Sequence, residues 1–434
     1  ATIQESKGKI KIGTLVVGAP AWKSKQISEG DEILKVQSKK GEEPINVTGM
    51  LVDEAVRFIR GEKGTEVVLT LKKKDGTIKE VKMIREEVAI EDTFARSIII
   101  NGANGKKYGF INLPSFNADF EDAKGRNASD DIKAELIKLK AQNVEGIILD
   151  LRNNGGGSLT EVVDIMGLFM NSGPVVQVKD GNGRVQVMRN KQNDPIWTGP
   201  LVIMQNELSA SASEILAGAM QDYGRAVIVG SPQSFGKGTV QTFVELNRFL
   251  NTSDDFGALK LTIQKFYRVN GKSTQLKGVE SDIPMKDVFS YEEIGERFDN
   301  YALPWDQVNS SSFTVNNSIN VAELAKNSQS RMAQNKFYQL LLESAQWREK
   351  LDKEEKISLN LKEFEAVMKT RKAQIDKFKP LIKYNNGLNF ALHADELARG
   401  KTDEVFAKKS ENWMKNLKRD IYLQETVNII SELK

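Results

Sequence analysis

Three short runs, "GIILDL" at 146–151, "LVIMQ" at 201–205 and "AVIVG" at 226–230, are apolar almost without interruption. Strands that are apolar on both sides need a sheet covered on both faces, and alternation with helices builds that sheet from parallel strands. The intervening segments supply the helices. "ASDDIKAELIKLKAQN" carries Ile132, Leu136 and Leu139 on one side, and "SLTEVVDIMGLFMNSG" has the same periodicity. With "KKYGFINLPSF" before these runs and "GALKLTIQKFYRVNG" after them, an α/β core is expected over residues 88–305.

The flanks read differently. Residues 1–87 form a small β-rich module with one helix at 48–61, whose apolar face holds Leu51, Val52, Ala55, Val56 and Ile59. Asp75-Gly76 is its hairpin turn. Residues 306–434 begin with a linker, "VNSSSFTVNNS", and continue as a Lys/Glu-rich helical domain with Phe337, Leu340 and Leu341 or Phe364, Met368 and Ile375 at helical spacing. The fold class expected is therefore multidomain α+β: a β module, an α/β core and an all-α C-terminal domain. A charged helical face is ordinarily solvated, and a platform for a partner is the alternative.

Composition removes several kinds of chemistry. The 434 residues include no cysteine and one histidine, His393, so thiol catalysis is excluded and a zinc or iron site would need carboxylates almost alone. Metal catalysis is not expected, nor any other cofactor. A net charge of +3 gives no argument for nucleic acid, and no apolar run reaches the length of a membrane span.

The stretch "NELSASASEILAGAMQDYGRA" places Ser209, Ser211 and Ser213 where a strand gives way to a helix. A serine there can be an exposed nucleophile, a cap or a packing residue, and the pattern does not choose among the three. His393 lies far along the chain in a charged segment, so the credible base is a lysine whose pKa burial has lowered from its usual ~10.4. Lys237 in "FGKGTVQ" sits between two apolar strands with glycine on either side, and Gln241 lies four positions on, where an even strand spacing would put both side chains on one face. A solvated loop lysine is the competing reading. Gly230 and Gly236 are too far apart for a phosphate loop, and no Ser or Thr follows Lys237. The glycines of "DLRNNGGGSL" lie between strand and helix, where their amides can face an anion.

Together "SASASEILAGAMQDYGRAVIVG", "FGKGTVQ" and "DLRNNGGG" resemble the C-terminal processing peptidases, the tail-specific proteases among them, and the likeness runs on through "LTIQKFYRVNGKSTQLKGVESDIP", "DNYALPWDQV" and "YLQETVNIISELK". The resemblance implies a PDZ-like peptide-binding module over 1–87, with "GDEILKV" as its signature, and a protease core of ClpP/crotonase-like type. It makes Ser211 the nucleophile, Lys237 the general base and Gln241 the residue that orients the lysine. Gly157 and Ala212 supply the oxyanion-hole amides, and Val52 is a groove position that senses the substrate tail. It further implies protein substrates with apolar, disordered C-terminal tails, no metal or ATP, the bacterial periplasm or cell envelope, and in some members a helical-repeat adaptor lipoprotein. Two departures are visible. The Gly230–Lys237 spacing is one residue longer than the pattern, and the chain starts at "ATIQE", just after where the PDZ carboxylate-binding loop is expected. A proteolytically inactive peptide-binding scaffold is the alternative function.

Overall fold

Alternation in the first 86 residues is realised as strands β1 (Ile3–Ser6), β2 (Lys9–Ile12), β3 (Glu32–Gln37), β4 (Ile45–Asn46), β5 (Glu66–Lys72) and β6 (Ile78–Ile84), with helices α1 (Pro20–Lys23) and α2 (Val52–Ile59). They form one sheet of order β1-β2-β3-β5-β6, with β4 paired to β3. Ile10, Ile12, Ile33, Val36, Leu69, Leu71 and Ala55 fill its core. The β5–β6 hairpin turns at Asp75-Gly76 as expected: Gly76 has φ 89°, and Asp75 Oδ1 accepts the Thr77 N–H at 2.9 Å. The helix is shorter than its apolar pattern suggested, and Leu51, immediately outside it, is 71% exposed.

The structure is a computed structural model that describes all residues except 7, 40, 87–92, 103–104, 120–124, 249–255, 355 and 434. The expected boundary at 87/88 falls outside the described residues. Packing groups the chain into two units where composition suggested three parts. One is Ala1–Glu91 with Asp395–Trp413; the other is Asp92–Ala394 with Met414–Lys434.

The larger unit is built on a seven-stranded sheet. Its strands are β7 (Arg96–Asn101), β8 (Lys107–Asn112), β9 (Gly146–Asp150), β12 (Leu201–Gln205), β13 (Val227–Gly230), β16 (Ile283–Pro284) and β17 (Asn389–Ala391), in the order β16-β13-β12-β9-β8-β7-β17. All pairings from β16 to β8 are parallel. Every residue of β9 and β12 is buried, as their unbroken apolar runs require. Helices α3 (Ala128–Ala141), α4 (Leu159–Gly167) and α5 (Ala212–Asp222) pack side by side, and Ile132, Leu136 and Leu139 join the core as expected. A second sheet, antiparallel, has the order β11-β10-β15-β14, from β10 (Gly173–Asp180), β11 (Val185–Asn190), β14 (Thr239–Glu245) and β15 (Ala258–Tyr267).

The C-terminal helices are not all peripheral. Helices α6 (Val321–Gln334), α7 (Lys336–Asp352) and α8 (Leu361–Phe378) precede β17; α9 (Ala394–Gly400), α10 (Glu404–Leu417) and α11 (Ile421–Glu432) follow it. Helix α11 packs on β9 and β12, with Leu423, Ile429 and Ile430 buried. Gly146 is small for this reason: a Cβ there would stand 2.7 Å from Ile430 Cδ1. Among the described residues no helix is long and apolar enough to cross a membrane.

Candidate active site

The carboxyl ends of β9 and β12 lie side by side, and each strand runs through a loop into a helix N-terminus, α4 and α5 respectively. Such helix starts present N–H groups without internal acceptors. The two loops are sewn together by asparagines. Asn153 and Asn206 exchange hydrogen bonds: the Asn153 N–H donates to Asn206 Oδ1 at 2.9 Å, and Asn206 Nδ2 donates to Asn153 Oδ1 at 2.8 Å. Asn154, fully buried, accepts the Ala210 N–H and the Ser213 hydroxyl at its carbonyl, and its Nδ2 donates to the Leu113 carbonyl.

These contacts separate the three serines. Ser209 Oγ donates to the Leu151 carbonyl at 2.8 Å and Ser213 Oγ to the Asn154 carbonyl at 2.9 Å, and each residue is 1% exposed. Ser213 lies inside α5, and Ser211 holds the N-cap position. Ser211 is half-buried, with φ 56° and ψ −109°, a left-handed conformation that costs a non-glycine residue about 1–3 kcal/mol and recurs at functional sites.

The glycine loop closes against this serine. A Cβ on Gly156 (φ 107°) would lie 2.8 Å from Ser211 Cβ and 3.1 Å from the Ala212 nitrogen. Phe116 flanks the loop in a strand-like bridge: its N–H donates to the Gly156 carbonyl at 3.1 Å, and its carbonyl accepts the Ser158 N–H at 2.8 Å. That register skips the Gly157 N–H, which has no protein acceptor among the described residues. The Ala212 N–H, at the first position of α5, has none either. Two unpaired amides therefore stand beside Ser211. Gly157 has no room for a side chain: at φ 147° a Cβ would come within 2.3 Å of the Phe116 carbonyl oxygen and displace the amide.

Lys237 is half-buried. Burial lowers its pKa below the ordinary lysine range and the like charge of Lys260 adds to this, while Glu296 and Glu214 oppose the shift. The connection from β13 to Lys237 is anchored by Phe235, whose N–H donates to the Ser209 carbonyl at 3.0 Å. Among the described residues no hydrogen bond joins Ser211 Oγ to Lys237 Nζ. Gln241 is exposed on β14, beyond a register shift between Val240 and Gln241, and it makes no hydrogen bond to Lys237 among the described residues. Val52 is the first residue of α2, half-buried in the other unit.

What joins the serine and lysine segments is Glu214, which sequence patterning did not single out. The carboxylate of Glu214 is fully buried. One oxygen accepts the Ser211 N–H at 2.7 Å and the Lys237 N–H at 3.0 Å. The other accepts the Gly236 N–H at 2.7 Å and the Ser234 hydroxyl at 2.6 Å. Burial pushes Glu214 up to about 7, against the four donors, which favour its ionised form. The spacing Ser-x-x-Glu at a helix start was the available signal.

Two further residues complete the picture. Arg152 is an ion-pair hub, donating to Asp150 at 2.7 Å and to Asp420 at 2.6 Å, which ties the glycine loop to the start of α11. His393, remote from the serines in sequence, packs elsewhere in the larger unit. It is buried, with Nε2 2.8 Å from Ser97 Oγ, and Ser97 donates to Glu135 at 2.5 Å.

Residues 107–285 match the model of peptidase family S41, and residues 289–434 match that of the C-terminal domain of tail specific protease. Residues 107–285 therefore carry a peptidase family S41 domain. It is 41% identical over 328 residues to the tail-specific protease of Haemophilus influenzae, covering 75% of this chain and 46% of that protein. It is 30% identical over 284 residues to the carboxy-terminal processing protease CtpA of Bacillus subtilis, covering 65% of this chain and 54% of that one. The chain thus spans about half the length of these curated relatives. Among solved structures, the PDZ domain of a carboxy-terminal protease from Vibrio cholerae, in complex with peptide, is 35% identical over 21% of this chain and 93% of that chain, with a TM-score of 0.20.

Proposed function

We propose that this protein is a serine endopeptidase that works through Ser211 and Lys237. The observation that carries the reading is the Glu214 carboxylate, which holds the backbone of both residues on one oxygen beside two unpaired amides. Neutral Lys237 takes the Ser211 proton as Oγ attacks the carbonyl carbon of a peptide bond. The Gly157 and Ala212 amides receive the oxyanion, and protonated Lys237 returns the proton to the leaving amine. Water, deprotonated by the same lysine, then hydrolyses the acyl ester and frees Ser211. Gln241 orients the Lys237 amine once substrate is engaged.

The substrates are proteins with apolar, disordered C-terminal tails. The smaller unit, read as a PDZ-like module, docks the tail with Val52 in its groove. The family resemblance supports a place in the bacterial cell envelope and an adaptor lipoprotein as partner. Incubating the full-length protein with an unstructured protein that ends in an apolar tail tests the core of this reading. Cleavage by the parent and none by Ser211→Ala is expected, with fragments mapped by mass spectrometry. A substrate that stays whole with the parent, yet is retained on it through its tail, would establish the scaffold reading in its place.

A further inference from the structure

Lys237 lies in a Gly-Lys-Gly tripeptide, about as mobile a backbone as a sequence can specify, because glycine adds freedom on both sides. A general base must nonetheless be held within hydrogen-bond reach of its proton donor. In the structure all six backbone polar groups of Gly236, Lys237 and Gly238 are paired. Glu214 takes the N–H groups of Gly236 and Lys237. The Gly238 carbonyl accepts the Phe266 N–H of β15 at 2.9 Å. The other three partners come from one short turn, Thr274–Leu276. Thr274 Oγ1 donates to the Lys237 carbonyl at 2.9 Å, the Leu276 N–H donates to the Gly236 carbonyl at 2.8 Å, and Gln275 Oε1 accepts the Gly238 N–H at 2.8 Å.

This turn is built with strain and burial that a simple connection does not need. Leu276 has φ 65°, a conformation an apolar L-residue avoids unless its surroundings impose it. Gln275 is completely buried, and its Nε2 donates to Glu296 Oε1 at 3.2 Å, so both ends of the amide are engaged and its orientation is set. Glu296 is in turn anchored by its own N–H, which donates to the Phe235 carbonyl at 3.0 Å. Gly238 leaves no space for a side chain: a Cβ would lie 2.8 Å from both Gln275 N and Gln275 Cβ.

We infer that Gln275 is a positioning residue for the base, holding the Lys237 loop so that the amine meets the Ser211 hydroxyl. The inference rests on the Ser–Lys reading above. It is distinct from the role given to Gln241, because Gln275 acts on the loop backbone and not on the amine.

The test uses two variants of the full-length protein. Gln275→Leu removes both amide ends at similar volume. Gln275→Glu keeps an acceptor for the Gly238 N–H and, when protonated, a donor for Glu296. The expected result for Gln275→Leu is a fall in kcat of about tenfold to hundredfold with KM within about twofold, and substantial recovery in Gln275→Glu. Amide hydrogen exchange, which does not depend on activity, should be faster in the peptide covering residues 234–240 of Gln275→Leu and unchanged in α5. Faster exchange with unaltered kcat would show that the clamp does not position the base. Equal losses in both variants, with lowered melting temperatures, would reduce Gln275 to a structural role. Unchanged exchange would sink the clamp itself, whereas a parent protein that cleaves nothing would sink the peptidase reading and with it the catalytic half of this inference.

Discussion

Lys237→Met is expected to leave the protein folded and to reduce tail-dependent cleavage by about 10⁴-fold, and Ser211→Ala should do the same. Methionine keeps the apolar stem and removes the amine, so the half-buried site loses its base without a new cavity. The double variant should be no worse than either single one, because a nucleophile without its base and a base without its nucleophile are equally idle. In the parent, cleavage should rise with pH as Lys237 sheds its proton, over a range below that of an ordinary lysine, since burial and then Lys260 lower its pKa. His393→Asn is the contrasting case. Its ring is buried against Ser97, so the variant should melt earlier yet keep its turnover per folded molecule. Circular dichroism melts beside initial rates separate these outcomes, and loss of turnover in a folded His393 variant would overturn the assignment of the base.

Glu214→Gln is expected to cost on the order of 10²-fold or more in kcat, because an amide cannot replace a carboxylate that takes donors on both oxygens. Whichever way the new NH₂ points, it faces N–H groups: those of Ser211 and Lys237, or that of Gly236 together with the Ser234 hydroxyl. One pair is expelled, and the serine and lysine segments separate. The pH dependence of stability is a second readout. Glu214 titrates at about 7 in the fold against 4.5 ordinarily, so the native state holds this proton more firmly than the unfolded chain. Its favourable contribution is complete below about pH 4.5 and is lost as pH rises through about 7, roughly 3 kcal/mol at 1.4 kcal/mol per pH unit. Denaturant midpoints between pH 4.5 and 8 should therefore slope downward in the parent and lose that slope in Glu214→Gln. Identical slopes would show that Glu214 does not carry the proton.

The sheet was legible because burial on both faces leaves an unbroken apolar run, and β9 and β12 need nothing else to be found. The choice among the serines was not, because it depends on carbonyls far along the chain: Ser209 and Ser213 are bonded to groups 58 and 59 residues away. Glu214 hides for the same reason, two of its four donors, Gly236 and Lys237, lying 22 and 23 residues on, as does Gln275, 37 residues beyond Gly238. Leu51 misled because an apolar stripe marks a helix face without marking its end. Nothing in the composition of Asp395–Trp413 distinguishes it from the helices around it, so its membership in the smaller unit is visible only in packing.

That membership changes what a single cut in the polypeptide can do. The chain passes from one unit to the other at 91/92, returns at 394/395 and crosses again at 413/414. The two units are therefore tethered covalently at three points. Scission at any one crossing leaves them attached, and residues 1–91 expressed alone would lack a portion of their own unit.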